Sequence, residues 1–428
     1  MGYRTAGYRG KLTEFFGAPC VRLQENGLRR NTASSCTGNI KAVEYRMRAT
    51  RAIIHLENLQ YNIAQIRKII PAGTKMCIPV KADAYGHGAL KTAVAAIRAG
   101  VSCLAVATVQ EGIELREAGI VAPILSLSLP IPEEIPAIVE FELTPLVVDE
   151  EFIGDLGAEA HRMRKTVPVH LKIDTGMGRI GCWPDEAIPL AKRIAKEKTL
   201  LLEGVATHLS VADSTKPEDI AFTRTQLELF KTACTAIREE GIDPGIVHAA
   251  NSGAVLLHPD ACFDMVRPGI LVYGYPPDDC LAERIDIRPV MELETQLVAI
   301  KKVRAGSAVS YGRIWHAPED TWIGTIPVGY ADGLNRKLSP GLLVRIGDQE
   351  FPIVGRICMD QCMIDLGPDP WVQRWDRVTI FGPSPARTSA KTVADMLETI
   401  PYEVTCAINK RVPRVYVGDE YADRKPLK

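Results

Sequence analysis

The sequence predicts an α/β protein: an N-terminal (β/α)8 barrel followed by a C-terminal, mostly antiparallel β domain. Three observations support this prediction. Strand-like apolar runs alternate with helical stretches from residue 51 to residue 271, and the alternation stops at the proline-rich segment YPPDDC. Short β-rich runs separated by Gly and Asp turns follow that segment. We therefore expect the barrel within residues 47–280 and the β domain within residues 281–428.

Nine strand-like runs make up the first part of this pattern. They span residues 51–56, 75–81, 102–108, 122–128, 143–149, 167–174, 202–209, 245–251 and 264–271. The first connection has apolar residues at helical spacing, namely Leu59, Ile63, Ile66 and Ile70. This alternation favours a parallel sheet covered by helices. Nine strands are one too many for an eight-stranded barrel, so we expect the run at 51–56 to pair elsewhere.

The remaining segments have a different pattern. The second part holds the β-rich runs ETQLVAIKKV, WIGTIPVGY, LLVRIG, FPIVGRICMD, CMIDLG and RVTIFG. One helix, residues 389–400, is predicted to interrupt them. Residues 1–46 are rich in Lys and Arg and have no periodicity. We interpret them as a disordered or mis-called extension, with Met47 as the alternative start.

Composition excludes several classes of protein. The net charge of -1 gives no electrostatic sign of a nucleic-acid or membrane-surface partner. No apolar run approaches the roughly 18 residues of a transmembrane helix. The 11 cysteines include no C-x-x-C pair, which is typical of reduced thiols in a cytoplasmic enzyme. Cys358 and Cys362 have no nearby second pair of ligands, so no metal site is predicted.

Lys81 is the first candidate for chemistry because it ends the apolar run KMCIPVK. Barrel enzymes place their reactive groups at the C-terminal ends of the strands. Partial burial lowers the pKa of an amine and makes it nucleophilic, as a Schiff-base lysine must be. An ordinary surface lysine at a strand end fits the same position equally well, and position alone leaves both interpretations open.

Nine motifs decide between them by resemblance. In chain order they are VKADAYGHG, KIDTGMGRIG, HAANSG, MVRPGILVYG, VSYG, GYADG, GRICMDQ, PYEVTCAI and RVPR. From about residue 48 onward the chain resembles the alanine racemase family. The resemblance implies a fold type III enzyme that binds pyridoxal phosphate (PLP) on its barrel and interconverts L- and D-alanine for peptidoglycan. It also implies a cytoplasmic head-to-tail homodimer, and a β domain that includes the run at 51–56.

The resemblance implies a role for each matched residue. Lys81 matches the PLP Schiff-base lysine and one catalytic base, and Tyr311 matches the second base, which acts in the partner subunit's site on the opposite face of the substrate. The matched cofactor-binding residues are Lys81, Tyr85, His208, Asn251, Ser252, Arg267, Gly269, Ile270 and Tyr402. Topology also predicts a phosphate site after the seventh and eighth barrel strands, where Ser252 and Gly269 lie. A helix N-cap is the alternative role for Ser252.

Arg267 matches the residue that faces the pyridine nitrogen. An arginine at this position cannot exchange a proton with the nitrogen and keep it protonated. The ring is then a weaker electron sink, so the resemblance implies a short-lived α-carbanion and few side reactions. The matched substrate-binding residues are Arg179 and Met359. Supporting and entrance positions are Lys172, His248, Asp213, Tyr330, Arg336, Arg356 and Asp360. Lys172 matches a lysine that is carboxylated by CO2 in many relatives, as N6-carboxylysine.

Three other functions are compatible with parts of the sequence. A related PLP racemase could act on serine, because a small pocket discriminates weakly against one hydroxyl. A non-catalytic PLP-binding barrel is the second alternative. The third is a dinucleotide site at GMGRIG, with Glu197 as the ribose ligand. The chain departs from the family pattern at Asp83, Pro268 and Pro401, none of which carries an assigned functional group.

Overall fold

The computed structural model describes residues 48–384 and 388–418. The predicted extension at residues 1–46 and the alternative start at Met47 lie outside these ranges. Within them, no helix has both the length and the apolar character needed to cross a membrane.

Eight parallel strands form a nearly closed barrel, which confirms the predicted (β/α)8 fold. The chain enters it through β1 (Arg51–His55) and α1 (Leu56–Ile69). The barrel strands are β2 (Lys75–Pro79), β3 (Cys103–Val106), β4 (Ile124–Ser126), β5 (Thr144–Val147), β6 (Val167–Lys172), β7 (Leu200–Ala206), β8 (Ile246–His248) and β9 (Met265–Val266). They are hydrogen-bonded in sequence from β8 back to β2, and β2 also pairs with β9.

Helices cover the barrel and connect its strands. Their bounds are α3 (Ala89–Arg98), α4 (Val109–Glu117), α5 (Ile135–Glu140), α6 (Glu150–Met163), α7 (Ala187–Lys196), α8 (Pro217–Glu239) and α9 (Ser252–Leu257), and α2 (Lys81–Tyr85) is a short left-handed turn. The cap of α9 differs from the expectation. Asn251, not Ser252, is the N-cap, since its side chain accepts a hydrogen bond from the Ala254 N–H. Ser252 is the first helical residue, which leaves its hydroxyl available for another partner.

A nine-stranded sheet forms the second part and confirms the predicted mostly antiparallel β domain. Its later strands are β10 (Met291–Gln296), β11 (Ala299–Val303), β14 (Thr321–Ile326), β15 (Leu343–Ile346), β16 (Gln349–Val354), β17 (Cys362–Gly367), β18 (Arg377–Phe381) and β19 (Arg414–Val417). A separate pair consists of β12 (Ala308–Val309) and β13 (Trp315–His316). The run at 51–56 joins this sheet, because β1 pairs antiparallel with β10 and parallel with β19.

Two expectations for the second part were wrong in detail. The run ETQLVAIKKV forms two strands, because the backbone changes its hydrogen-bonding partner between Leu297 and Val298. The Leu297 N–H donates to the Asp376 carbonyl oxygen, whereas the Val298 N–H donates to the Thr325 carbonyl oxygen. The helix predicted over 389–400 ends earlier, as α10 (Ala390–Met396). Pro401 then begins a second helix, α11 (Pro401–Ala407), at the position where proline's missing N–H costs no hydrogen bond.

Candidate functional site

A cavity of about 510 Å³ lies at the C-terminal ends of the barrel strands, where barrel enzymes carry their active sites. Most of the residues predicted from the sequence line it. They are Lys81, Tyr85, Lys172, Arg179, His208, Asp213, His248, Asn251, Ser252, Arg267, Gly269 and Tyr402. Ile270 is fully buried beside Gly269 and does not line the cavity.

Lys81 begins an unusual turn that directs the chain away from β2. The next four residues, 82–85, have φ values between 51° and 54°, in the left-handed region. Non-glycine residues adopt this conformation rarely and with strain, so the surroundings must hold it. Burial lowers the pKa of Lys81, and the positive charge of Arg179 lowers it further. The turn therefore presents a partly desolvated amine to the cavity.

Three side chains hold this left-handed turn. The Glu111 carboxylate accepts a 2.6 Å hydrogen bond from the Ala82 N–H. Asp83 Oδ1 accepts from the Ala89 N–H at 2.8 Å. His87 Nδ1 lies 2.9 Å from the Ala84 carbonyl oxygen and 3.0 Å from that of Tyr85, so this nitrogen carries the proton and donates. The strained backbone next to Lys81 is thus fixed by specific partners.

The loops after β8 and β9 meet at one corner of the cavity. The Gly269 N–H donates to Ser252 Oγ at 2.9 Å. A Cβ at position 269 would lie 2.9 Å from the Tyr85 hydroxyl, so glycine keeps this corner open. The Tyr402 ring lies 5.6 Å from the Tyr85 ring. Burial raises the pKa of both tyrosines, which keeps their hydroxyls protonated and able to donate.

Several hydrogen bonds hold Arg267 in the cavity wall. Its Nη2 donates to the carbonyl oxygens of Thr207, at 2.8 Å, and Ala249, at 3.1 Å. Its Nη1 donates to His248 Nδ1 at 2.5 Å. Burial lowers the pKa of Arg267 to about 10, so it stays cationic at neutral pH. Burial, and then Arg267, lowers the pKa of His208 to about 3. The neighbouring imidazole is therefore neutral.

Lys172 is buried at the end of β6, with its side chain in the cavity wall. Its Nζ donates to the Ile173 carbonyl oxygen at 2.9 Å. Burial lowers its pKa to about 8, and the Arg267 charge contributes. Roughly a tenth of this amine is therefore uncharged at pH 7, far more than for an exposed lysine.

The glycines of KIDTGMGRIG form a backbone loop around Asp174. This carboxylate accepts hydrogen bonds from the N–H groups of Gly176, Met177 and Arg179. The chain then returns as an isolated bridge between Ile173 and Cys182. A dinucleotide-binding loop requires a helix that begins at its glycines. No helix begins at these glycines, and α7 starts only at Ala187. The loop instead brings the Arg179 side chain to the cavity.

The cavity carries an excess of positive charge. Among the described residues that line it, four side chains are cationic and one, Asp213, is acidic. The cationic residues are Lys81, Lys172, Arg179 and Arg267. A concave site with this balance is suited to a ligand that bears several negative charges.

The other predicted residues lie outside this cavity and form a second cluster in the β domain. Tyr311, Tyr330 and Met359 expose 70%, 43% and 52% of their surface. Ser310 Oγ donates to the Arg356 carbonyl oxygen at 2.7 Å, which joins the Tyr311 turn to the loop at 356–360. Neither Arg336, which lines a neighbouring groove with Tyr330, nor any other member of this cluster lines the barrel cavity.

Backbone contacts and ion pairs hold the second cluster in place. The Ala331 N–H donates to the Met359 carbonyl oxygen at 3.0 Å. A Cβ at Gly329 would lie 2.3 Å from that same oxygen, so this close approach requires glycine. Arg411 donates to Asp360 at 2.6 Å. The exposed side chains of Tyr311 and Met359 therefore stand on an ordered base.

Several contacts in and around the candidate site were not predicted from the sequence. Glu111 looks like an ordinary capping-box residue of α4, which it also is. His170 Nδ1 lies 2.7 Å from His248 Nε2, and His170 Nε2 lies 3.3 Å from Glu203 Oε2. Strand alternation could have placed His170 on the same face as Lys172.

Comparisons with known proteins agree along almost all of the described chain. The profile described as "Alanine racemase, N-terminal domain" matches residues 54–277, and "Alanine racemase, C-terminal domain" matches residues 290–416. An alanine racemase of Treponema denticola is 59% identical over 377 residues, covering 87% of this chain and 99% of that protein. One from Treponema pallidum subsp. pallidum is 50% identical over 379 residues, with 87% and 100% covered.

Solved structures show the same relationship. An alanine racemase from Clostridium difficile 630 superposes with a TM-score of 0.83 at 36% identity, covering 87% of this chain and 96% of that one. An alanine racemase from Bacillus anthracis with bound L-Ala-P superposes with a TM-score of 0.81 at 34% identity, with 87% and 96% covered.

Proposed function

The chain belongs to the alanine racemase family, and we propose that it interconverts L- and D-alanine with PLP held in the barrel cavity. One observation carries the proposal. Lys81, with a lowered pKa, lines the same cavity as Arg267 and the Ser252–Gly269 corner. An amine that can form a Schiff base, an open corner that can take an anion and a fixed cation together suit the binding of PLP.

The residues present fit PLP. Ser252, Gly269, Tyr85 and Tyr402 would hold its phosphate at the open corner, where a Cβ on residue 269 would intrude. Asn251 and Ile270 flank this corner. Arg267 would face the ring nitrogen, with His208 beside it. The positive charge of the cavity wall favours both a phosphate and the carboxylate of an amino acid.

When bound, PLP supplies the carbonyl carbon that takes up amines and the ring that makes the α-hydrogen of the substrate acidic. Residues of the chain would then remove and return the proton at the α-carbon of the substrate. Lys81 would hold the cofactor, and its amine, when free, would exchange a proton at one face of the α-carbon. Its lowered pKa increases the fraction of free amine available as a base. Tyr311 exchanges a proton at the opposite face, which racemisation requires.

Tyr311 is proposed to act in the cavity of a partner subunit in a homodimer. It does not line the cavity of its own chain and is 70% exposed. Met359 is 52% exposed, on a loop joined to the Tyr311 turn. Exposed apolar side chains that are grouped on joined loops are typical of an interaction surface. A head-to-tail dimer would bury both and complete two sites.

Substrate choice is proposed to depend on the cavity rim. Arg179 would bind the α-carboxylate, together with the Met359 backbone N–H of the partner subunit. Asp213, Tyr330, Arg336, Arg356, Asp360 and Tyr402 would form a narrow entrance that favours a small side chain. In this proposal the enzyme works in the cytoplasm and supplies D-alanine for peptidoglycan.

Lys172 is proposed to be carboxylated. Its Nζ would add to the carbon of CO2 and release one proton, which leaves a carbamate of charge −1. The lowered pKa supplies the uncharged amine that this addition needs. The resulting anion would lie among the cations of the cavity wall and orient Arg179.

Two measurements test the proposed function. Purified protein with PLP should show a visible absorbance band that borohydride removes, with the reduced cofactor attached to Lys81. L-alanine and L-serine are then supplied in parallel, and the D-isomer formed is measured. We expect turnover of L-alanine to exceed that of L-serine. If no band forms, or if L-alanine is not racemised with PLP bound, the proposal is wrong.

A further inference from the structure

A column of polar side chains runs from the cavity into the interior of the barrel. Arg267 Nη1 contacts His248 Nδ1, and His248 Nε2 lies 2.7 Å from His170 Nδ1. His170 Nε2 in turn lies 3.3 Å from Glu203 Oε2. Barrel interiors are ordinarily filled by branched apolar side chains. Four hydrogen-bonded polar groups on β6, β7, β8 and the residue after β9 therefore need an explanation.

The two ends of the column impose one direction on its hydrogen bonds. A guanidinium is a donor only, so His248 Nδ1 must accept and its Nε2 must carry the proton. That N–H donates to His170 Nδ1, and His170 must then carry its proton on Nε2. This second N–H donates to Glu203, whose carboxylate is an acceptor only. Both imidazoles are thus neutral and protonated at Nε2.

The fold provides room for this arrangement at two points. The pairing of β6 with β7 shifts register between Val169 and His170, so Glu203 is the extra, bulged residue. A bulge re-aims a side chain, here toward the His170 ring. A Cβ at Gly204 would lie 2.8 Å from His170 Cε1, so glycine leaves space for that ring. A bulge and a glycine together build the outer half of the column.

Burial and charge change along the column. The side chains of His248 and His170 are 0% and 3% exposed, whereas that of Glu203 is 35% exposed. Its hydrogen bond with His170 lowers the pKa of Glu203, and the charge of Lys75 on β2 contributes, so Glu203 is a carboxylate at neutral pH. The column therefore links a buried cation in the cavity wall to a partly exposed anion on β7.

We propose that His170 and Glu203 are positioning residues, which fix the proton arrangement of His248 and thereby hold the Arg267 guanidinium in place. The reverse arrangement would aim a His170 lone pair at the Glu203 carboxylate and a His248 N–H at Arg267. The Glu203 carboxylate and the Arg267 guanidinium both disfavour this arrangement. This positioning of Arg267 rests on the proposed function only in that Arg267 would contact the cofactor.

A substitution series at the outer end tests the proposal. Glu203→Gln keeps an oxygen that accepts from His170, Glu203→Leu removes the acceptor, and Glu203→Lys replaces it with a donor. The column in Glu203→Lys would then have a donor at each end, the Arg267 guanidinium and the new ammonium group. No pair of neutral imidazole tautomers could satisfy all three hydrogen bonds between them. Glu197, 26% exposed and bonded to Thr199 and Arg193, is the matched control, changed to Gln, Leu and Lys. Thermal unfolding of each variant reports folding separately.

The direct measurement is ¹⁵N NMR of the imidazole nitrogens, with and without PLP, assigned with His170→Asn and His248→Asn. We expect both histidines to be protonated at Nε2 in the unchanged protein and in Glu203→Gln. Glu203→Lys should disturb both, and Glu203→Leu should have an intermediate effect. With PLP bound, kcat for alanine should fall roughly tenfold in Glu203→Lys, the scale of losing a group that orients a ligand, while KM changes little.

Two results would overturn the proposal. One is a His170 protonated at Nδ1 in the unchanged protein. The other is a folded Glu203→Lys variant whose histidine signals and kcat match those of Glu203→Gln. If the unchanged protein racemises no alanine, the proposed function fails, while the NMR result still decides this inference.

Discussion

The Gly269 N–H donates to Ser252 Oγ at 2.9 Å, and this contact joins the two loops expected to bind the cofactor phosphate. Gly269→Ala should weaken PLP binding about tenfold, because the new Cβ would lie 2.9 Å from the Tyr85 hydroxyl and intrude on the open corner. Titration of the cofactor-free protein with PLP measures the change. Gly154→Ala in α6 is the control, since its Cβ would approach nothing closer than Arg193 at 3.9 Å. Equal affinities of the two variants would refute the phosphate assignment.

Tyr311→Phe should keep the visible PLP band and lose racemase activity by about 10²-fold or more, because one of the two proton-transfer groups is gone. Tyr61→Phe is the control, as this tyrosine lies on α1 with its hydroxyl bonded to Asp286. Unchanged activity in Tyr311→Phe means that Tyr311 is not a base.

Mixing Tyr311→Phe with Lys81→Ala tests whether subunits share their sites. Neither variant alone has a complete site, whereas a mixed dimer has one site with Lys81 from one chain and Tyr311 from the other. We therefore expect activity to return after the two are unfolded and refolded together. No recovery, with mixed dimers detected by mass spectrometry, would contradict the shared site.

Lys172→Met should stabilise the protein in CO2-free buffer at pH 7. Burial lowers the pKa of Lys172 to about 8, so below that pH the folded state holds a buried charge at a cost of a few kcal/mol. The unfolded chain binds this proton up to a pKa of 10.5, so the unchanged protein gains stability as pH rises from about 8 to 10.5. The advantage of Lys172→Met should shrink over that range. Urea unfolding at several pH values measures it.

Addition of bicarbonate distinguishes a carboxylated Lys172 from a lysine that is only buried. Adding it should stabilise the unchanged protein and add the mass of one CO2, with neither effect in Lys172→Met. A bicarbonate effect of equal size in both proteins would argue against a carbamate at this residue.

Asp83→Asn should preserve folding, PLP binding and activity. The Asp83 side chain accepts from the Ala89 N–H through Oδ1, and an asparagine oxygen can accept the same hydrogen bond. Asparagine also tolerates the left-handed conformation found here. Asp83→Ala loses the acceptor and should lower the free energy of unfolding by about 1 kcal/mol. Urea unfolding of both variants shows whether the hydrogen bond to the Ala89 N–H or the negative charge of Asp83 contributes to the free energy of unfolding.

The sequence predicted the barrel well because its evidence is local. Each apolar run of the first part overlaps a strand, and hydrophobic alternation is enough to find it. The ends were less predictable. The last run, 264–271, keeps only a two-residue strand, since Pro268 lacks an N–H for the ladder. The second part was harder because partner changes, such as that at Leu297, depend on distant strands.

The candidate site was predictable where a motif identified the residue and not where only geometry does. Lys81 and Arg267 lie in matched motifs and line the cavity. Glu203 was missed because the bulge that turns it toward His170 depends on the pairing of two strands. The four left-handed residues after Lys81 were missed as well, since their conformation is imposed by Glu111, Asp83 and His87 rather than by a glycine.

The position of β1 between β10 and β19 has a consequence for the order of assembly during synthesis. The ribosome releases β1 first, yet both of its neighbours follow the last barrel strand. The barrel can close while β1 remains an unpaired edge, which is prone to pair with other chains. A fragment that ends after β9 should therefore aggregate through β1, and deletion of residues 51–55 from that fragment should reduce the aggregation.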